Sequence, residues 1–152
     1  MFRGSNDINI DAKGRMAVPA RFRDELMELC GGRLVVTVNN DVQDRCLLLY
    51  PMDEWIQIEN KISRLPSHPK ARRLQRLLIG NAREVEIDGS GRILLPPELR
   101  QHASLDKKVR LLGVGHRFEI WDGGLYSAHH EECLEESMDD QPIPEEMLSL
   151  SL

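Results

Sequence analysis

The residues Asp11-Ala12-Lys13-Gly14-Arg15 return as Asp88-Gly89-Ser90-Gly91-Arg92, 77 positions later. The flanks return in the same register. Ile8-x-Ile10 and Val85-x-Ile87 come before, Met16-Ala17-Val18-Pro19 and Ile93-Leu94-Leu95-Pro96 come after, and Arg23 and Arg100 follow in step. A duplication of this kind restricts the chain to architectures built from two similar modules around a shared core. It also means that one loop, with one arginine at its tip, is presented twice.

The bulk properties suit such a body. Of 152 residues, 41% are apolar and 30% charged, a globular balance. Aromatics make up only 5%, so aliphatic side chains must build most of the core. No window approaches the ~18 uninterrupted apolar residues of a membrane span. The N-terminal residues hold no apolar stretch suited to a signal peptide, so a cytoplasmic location is expected. Cys30, Cys46 and Cys133 are odd in number, far apart and without a C-x-x-C pair, which reads as three reduced thiols, the first two in or near the core.

The net charge of −5 conceals a split. From residue 118 onward there are ten acidic residues and no Lys or Arg, which leaves 20 basic against 15 acidic over residues 1–117. Residues 61–83 carry seven basic side chains and no acidic one. This pattern suggests a basic working face and an acidic tail, although solvated helix faces also carry charge runs.

Alternation predicts a strand over residues 6–11, a tight turn, and a returning strand over 15–18 that Pro19 ends. A short helix follows, with Phe22, Leu26 and Leu29 at helical spacing, stopped by Gly31-Gly32. Residues 34–38 and 46–50 read as strands joined by a polar loop. The second copy repeats this over residues 84–88, 92–95, a Pro-opened helix through 102, and strands at 109–114 and 118–121 turning near Gly115-His116. Tyr50 corresponds to Trp121, and Trp55 to Tyr126. Between the copies, Trp55, Ile58, Ile62 and Leu65 mark one helix. After Pro66 and Pro69, a second places Leu74, Leu77 and Leu78 opposite Arg72, Arg73 and Arg76. A last helix is expected near 129–138, then a loosely ordered end after Pro142 and Pro144. The division is repeat one at 5–52, a helical connector at 53–80, repeat two at 81–124 and an acidic tail at 125–152.

The loop carries the chemistry. Gly14 and Gly91 can take a positive φ, and the Asp11 and Asp88 carboxylates can accept backbone N–H groups two or so residues on. Arg15 stands just past the glycine with Lys13 beside it. A guanidinium fork can bond guanine O6 and N7 together, and a lysine adds a phosphate contact. One copy alone is also satisfied by Asp11 and Arg15 pairing across the turn.

The opening Met1-Phe2-Arg3-Gly4, the paired Asp-x-x-Gly-Arg loops, Cys46-Leu47-Leu48-Leu49-Tyr50-Pro51 with Trp55, and Arg72-Arg73-x-x-Arg76 together resemble the MraZ family of bacterial transcriptional regulators. The resemblance covers nearly the whole chain. It implies an α+β, mostly β fold: two pseudo-symmetric swapped-hairpin repeats of the AbrB type (SpoVT-AbrB), interlocked in a double-psi-like barrel, with intervening and C-terminal helices. It implies a homo-oligomeric closed ring, associated with the nucleoid, that binds repeated boxes of double-stranded promoter DNA. The usual outcome is repression of its own gene and of the division and cell-wall cluster. The DNA-binding loop maps onto residues 11–15, with Arg15 first, then Lys13 and Gly14, then Arg3, expected near the same edge. Arg92 is the weaker counterpart, because Ser90 replaces Lys13 and Glu98 replaces Arg21. Asp11, Asp88 and Gly91 are the structural turn residues.

Two other classes compete. An enzyme would need a site, but His68, His102, His116, His129 and His130 sit in no nucleophile, metal or phosphate motif. His129-His130-x-x-Cys133 lacks a second ligand pair and reads as a surface helix. No catalysis, metal, cofactor, membrane or small-molecule substrate is therefore expected. An antitoxin-like or scaffold protein is the second class, since swapped-hairpin modules also occur in antitoxins and the acidic tail would suit a protein partner.

Overall fold

Strands with apolar side chains on both faces must lie inside a layered body, and the strands over residues 33–38 and 47–51 are of that kind. The computed structural model describes residues 1–41, 43–135, 144 and 147. Its elements are β1 (Phe2–Asn9), β2 (Arg15–Ala17), α1 (Ala20–Cys30), β3 (Arg33–Val38), β4 (Leu47–Pro51), α2 (Met52–Ser63), α3 (Pro69–Leu78), β5 (Arg83–Glu86), β6 (Arg92–Leu94), α4 (Pro97–His102), β7 (Lys108–Gly115), β8 (Arg117–Asp122) and α5 (Gly123–Glu135). The chain is α+β, with a six-stranded antiparallel sheet in the order β1-β7-β8-β4-β3-β5 and a two-stranded ribbon of β2 with β6.

Period-two alternation splits the core in two. On one face, Leu34, Val36, Leu47, Leu49, Val109, Leu111, Phe118 and Ile120 pack against Phe22 and Leu26 of α1, Leu99 of α4, and Met16 and Ile93 of the ribbon. On the other, Val35, Leu48, Tyr50 and Trp121 pack against Met52, Trp55 and Ile62 of α2 and Leu78 of α3, with Tyr126 of α5 alongside. The ribbon and the basic helix α3 therefore cover opposite faces of the sheet.

The duplication appears as an exchange of strands. β1 of the first copy pairs with β7 of the second, and β5 of the second pairs with β3 of the first. The corresponding aromatic pairs recur too, with Tyr50 and Trp55 centroids 5.6 Å apart and Trp121 and Tyr126 5.9 Å apart.

Several expectations change. The strands flanking each loop are not simple hairpins. Ile10, just past the end of β1, meets Met16 of β2 at one isolated bridge, and β2 finds its partner in β6 of the other repeat. The expected double-psi-like barrel is not formed by hydrogen bonding. The six-stranded sheet is open, with β1 and β5 at its edges, because the three-residue strands β2 and β6 ladder only with each other. Leu29 is half exposed, and Cys30, one position on, turns toward the core instead. Leu65 lies beyond the end of α2 and stays exposed. The last helix begins at Gly123, six residues earlier than expected, directly off β8. Met138 and the segment after Pro142 fall outside the described residues, Pro144 and Met147 excepted. Cys46 is buried, and desolvation pushes its thiol up to about 12.

Candidate nucleic-acid interface

Each Asp-x-x-Gly-Arg loop is tied by its own aspartate. Asp11 Oδ1 accepts the backbone N–H groups of Lys13 and Arg15, both at 2.9 Å, and Oδ2 accepts Arg15 Nε at 2.8 Å. The Gly14 N–H donates to the Asp11 carbonyl at 3.0 Å, with Gly14 at φ +87°, where a side chain would be strained. The second loop repeats this. Asp88 Oδ1 accepts Ser90 N–H at 2.8 Å and Arg92 N–H at 3.0 Å, and Gly91 sits at φ +77°. The backbone N–H of Arg15 is the largest influence holding the Asp11 carboxyl below its ordinary range, and that of Arg92 does the same for Asp88.

The turns deliver β2 and β6 side by side. Arg15 pairs with Leu94, Met16 with Ile93 and Ala17 with Arg92. Val18 N–H to Gly91 O at 2.9 Å and Leu95 N–H to Gly14 O at 3.0 Å extend the ladder into both loops. Opposed residues share a face. Met16 and Ile93 are therefore both fully buried on the inner face, and Arg15, Ala17, Arg92 and Leu94 all lie on the outer one. The arginines stand diagonally across it.

Their exposures, 31% for Arg15 and 33% for Arg92, do not distinguish them, but their ties do. Arg15 is anchored through Nε, and among the described residues its terminal nitrogens make no hydrogen bond. Arg92 reaches both aspartates loosely, with Nη1 at 3.6 Å from Asp11 Oδ2 and Nε at 3.8 Å from Asp88 Oδ2, beyond hydrogen-bond length. The pairing of Asp11 with Arg15 across the turn is thus present, and it orients the guanidinium without consuming it. Lys13 is exposed at the mouth of a groove of about 490 Å³ that Glu84, Glu86, Leu94, Pro96 and Arg100 also line. Such a face offers two planar forks and one point charge to a phosphate backbone or a base edge.

Other residues lie elsewhere. Arg3 pairs across to Val114 at the far end of β1, roughly 25 Å along an extended strand from Asp11, so the structure does not bring it to the loop. Arg21 adds nothing to the first loop, because its guanidinium lies 4.5 Å over the Phe22 ring and against Gly4. Arg72, Arg73 and Arg76 project from α3 on the other face of the sheet. His129 stacks on Trp121 at 4.9 Å and stands 3.0 Å from Asp44, and no three His, Cys, Asp or Glu among the described residues are placed to hold a metal.

Two arginines escaped the sequence reading of the site. A Cβ on Gly14 would stand 2.6 Å from the guanidinium carbon of Arg100, and one on Gly91 would run into the guanidinium of Arg23. Each loop is thus backed by the short helix of the other repeat. The register of Arg23 with Arg100 was the available signal, but no spacing rule says that the pair crosses over.

Comparison with known proteins matches the chain, over residues 1–77 and again over 78–146, to the family described as "MraZ protein, putative antitoxin-like". Among individual relatives, the chain is 50% identical to the Transcriptional regulator MraZ of Alkalilimnicola ehrlichii over 153 residues, covering 100% of both chains. It is 52% identical to that of Saccharophagus degradans and 50% identical to that of Pseudomonas putida, again with complete coverage of both.

Proposed function

The chain belongs to the MraZ family, and from that premise we propose that it is a transcriptional regulator that reads double-stranded promoter DNA through the outer face of the β2–β6 ribbon. The observation that carries the reading is the placement of both arginine-tipped loops on one exposed face, over an inner face that is fully buried. The relatives' shared name, transcriptional regulator, supports the same direction.

In this reading Arg15 makes the principal base or phosphate contact, Lys13 adds a phosphate contact, and Gly14 lets the backbone approach. Arg92 contacts DNA from the second loop, while Asp11, Asp88 and Gly91 maintain the turns. Arg3, at the other end of β1, is an outlying phosphate contact. The protein acts mainly as a repressor of its own promoter and of the division and cell-wall cluster. It works in the cytoplasm, at the nucleoid, as a ring-shaped homo-oligomer on repeated boxes. Linked sites raise the effective concentration of each next contact, so a ring needs only modest affinity per subunit. It is a regulator and not an enzyme.

The test is a reporter gene under the protein's own promoter. Wild-type protein is expected to lower its output and Arg15→Ala to restore it. Equal output with and without wild-type protein would overturn the reading.

A further inference from the structure

The crossing of Arg23 and Arg100 has a consequence for how the two loops act. Both arginines come from helices of one repeat and lie against the glycine of the other repeat's loop. Arg100 is held in place, since its Nε donates to the Leu95 carbonyl at 3.1 Å. Leu95 in turn donates its N–H to the Gly14 carbonyl at 3.0 Å, so helix, ribbon and loop form one connected unit. Among the described residues neither arginine has a carboxylate within ion-pair distance, so no acidic partner fixes either guanidinium elsewhere. Gly14 and Gly91 therefore meet two requirements, a positive φ and room for a guanidinium from the other repeat.

We infer that Arg100 and Arg23 are crossed positioning residues: Arg100 sets the geometry of the first loop, and so of Lys13 and Arg15, while Arg23 sets that of the second and of Arg92. The inference rests on the ribbon face being the DNA-reading surface. The Arg100 guanidinium, with Cζ, Nε and Nη2 all within 2.8 Å of where a Gly14 Cβ would stand, has a planar shape that lysine does not reproduce. The crossing also makes the paired loops one reading unit, because neither repeat holds its own loop alone.

A double-mutant cycle tests this, with affinity read on a duplex from upstream of the protein's own gene and on a shuffled duplex, across a salt series. Arg100→Ala is expected to weaken promoter binding roughly tenfold and to couple with Arg15→Ala, while adding independently to Arg92→Ala. Arg23→Ala is expected to show the reverse pattern, coupling with Arg92→Ala only. Arg100→Lys is expected to behave like Arg100→Ala, and the salt slope to stay unchanged in both, because a positioning residue neutralises no phosphate. Additivity of Arg100→Ala with Arg15→Ala, equal coupling to both loops, or a salt slope lowered by about one would overturn the inference. Thermal unfolding of each variant separates these outcomes from a folding loss, and Arg100→Met, which keeps the bulk, serves if Arg100→Ala unfolds. If Arg15→Ala itself left promoter binding intact, the reading of the face would fail, and with it the inference.

Discussion

Arg92 of the second repeat points its Nη1 at the Asp11 carboxylate of the first, 3.6 Å away, while Arg15 holds the same oxygen at 2.8 Å. One carboxylate therefore serves both arginines of the ribbon face. Among the described residues Asp88 makes its hydrogen bonds and ion pair within its own loop, and Arg15 acts on it only through space.

Asp11→Asn tests that asymmetry. Asparagine keeps the acceptor for the backbone N–H groups, so the turn is expected to survive. Exposed ion pairs contribute little, so stability should change only slightly. Removing a negative charge should tighten binding to shuffled DNA, and releasing Arg15 and Arg92 should narrow the promoter-over-shuffled ratio. Affinities for both duplexes at matched salt check this, and Asp88→Asn is expected to do less.

Gly14→Ala and Gly89→Ala should differ sharply. Gly14 sits at φ +87° with a guanidinium where a Cβ would go, and left-handed backbone alone costs an L-residue about 1–2 kcal/mol. Among the described residues nothing lies within 4 Å of a Cβ at Gly89, where the change should fall within about 0.5 kcal/mol. Denaturant unfolding of the two variants measures the gap.

Thr37 anchors the basic helix to the sheet. Its fully buried hydroxyl donates to the Leu78 carbonyl at 2.7 Å, at the end of α3. Thr37→Val keeps the volume and strands that carbonyl, so a loss of about 1–3 kcal/mol is expected by denaturant unfolding. DNA affinity should stay unchanged, since α3 and the ribbon lie on opposite faces of the sheet.

Acid should loosen both loops. Backbone N–H groups hold the Asp11 and Asp88 carboxyls below 3.8, the ordinary value. A carboxyl whose folded-state pKa is depressed adds stability above its unfolded pKa, and that contribution is lost as pH falls through the folded value. The amide shifts of Lys13, Arg15, Ser90 and Arg92 are therefore expected to hold at neutral pH and to move with midpoints below 3.8. Midpoints above that value would contradict the account of the turns.

Much of this fold is written locally. The apolar runs of β3 and β4 marked them as strands, Pro19 and Pro96 marked the start of each short helix, and the correspondence of Tyr50 with Trp121 proved to be a structural equivalence. Pairing partners were not legible, because alternation says which face a residue takes and not which strand lies beside it. Hence the hairpin reading of residues 6–18 missed the pairing of β2 with β6 and the open sheet. The loop residues 11–15 were visible from turn chemistry. Their backing by Arg100 was not, since that contact joins residues 86 positions apart through the exchange of strands.

The central claim is that the ribbon face reads DNA, and fluorescence anisotropy on the upstream duplex and a shuffled one, with wild type and Arg15→Ala across a salt series, tests it most directly. Salt-steep binding that favours the upstream duplex is expected, strongly weakened but still measurable at low salt in the variant, while the variant's thermal stability and oligomeric state match wild type. Arg15→Ala binding the upstream duplex as tightly as wild type would contradict it.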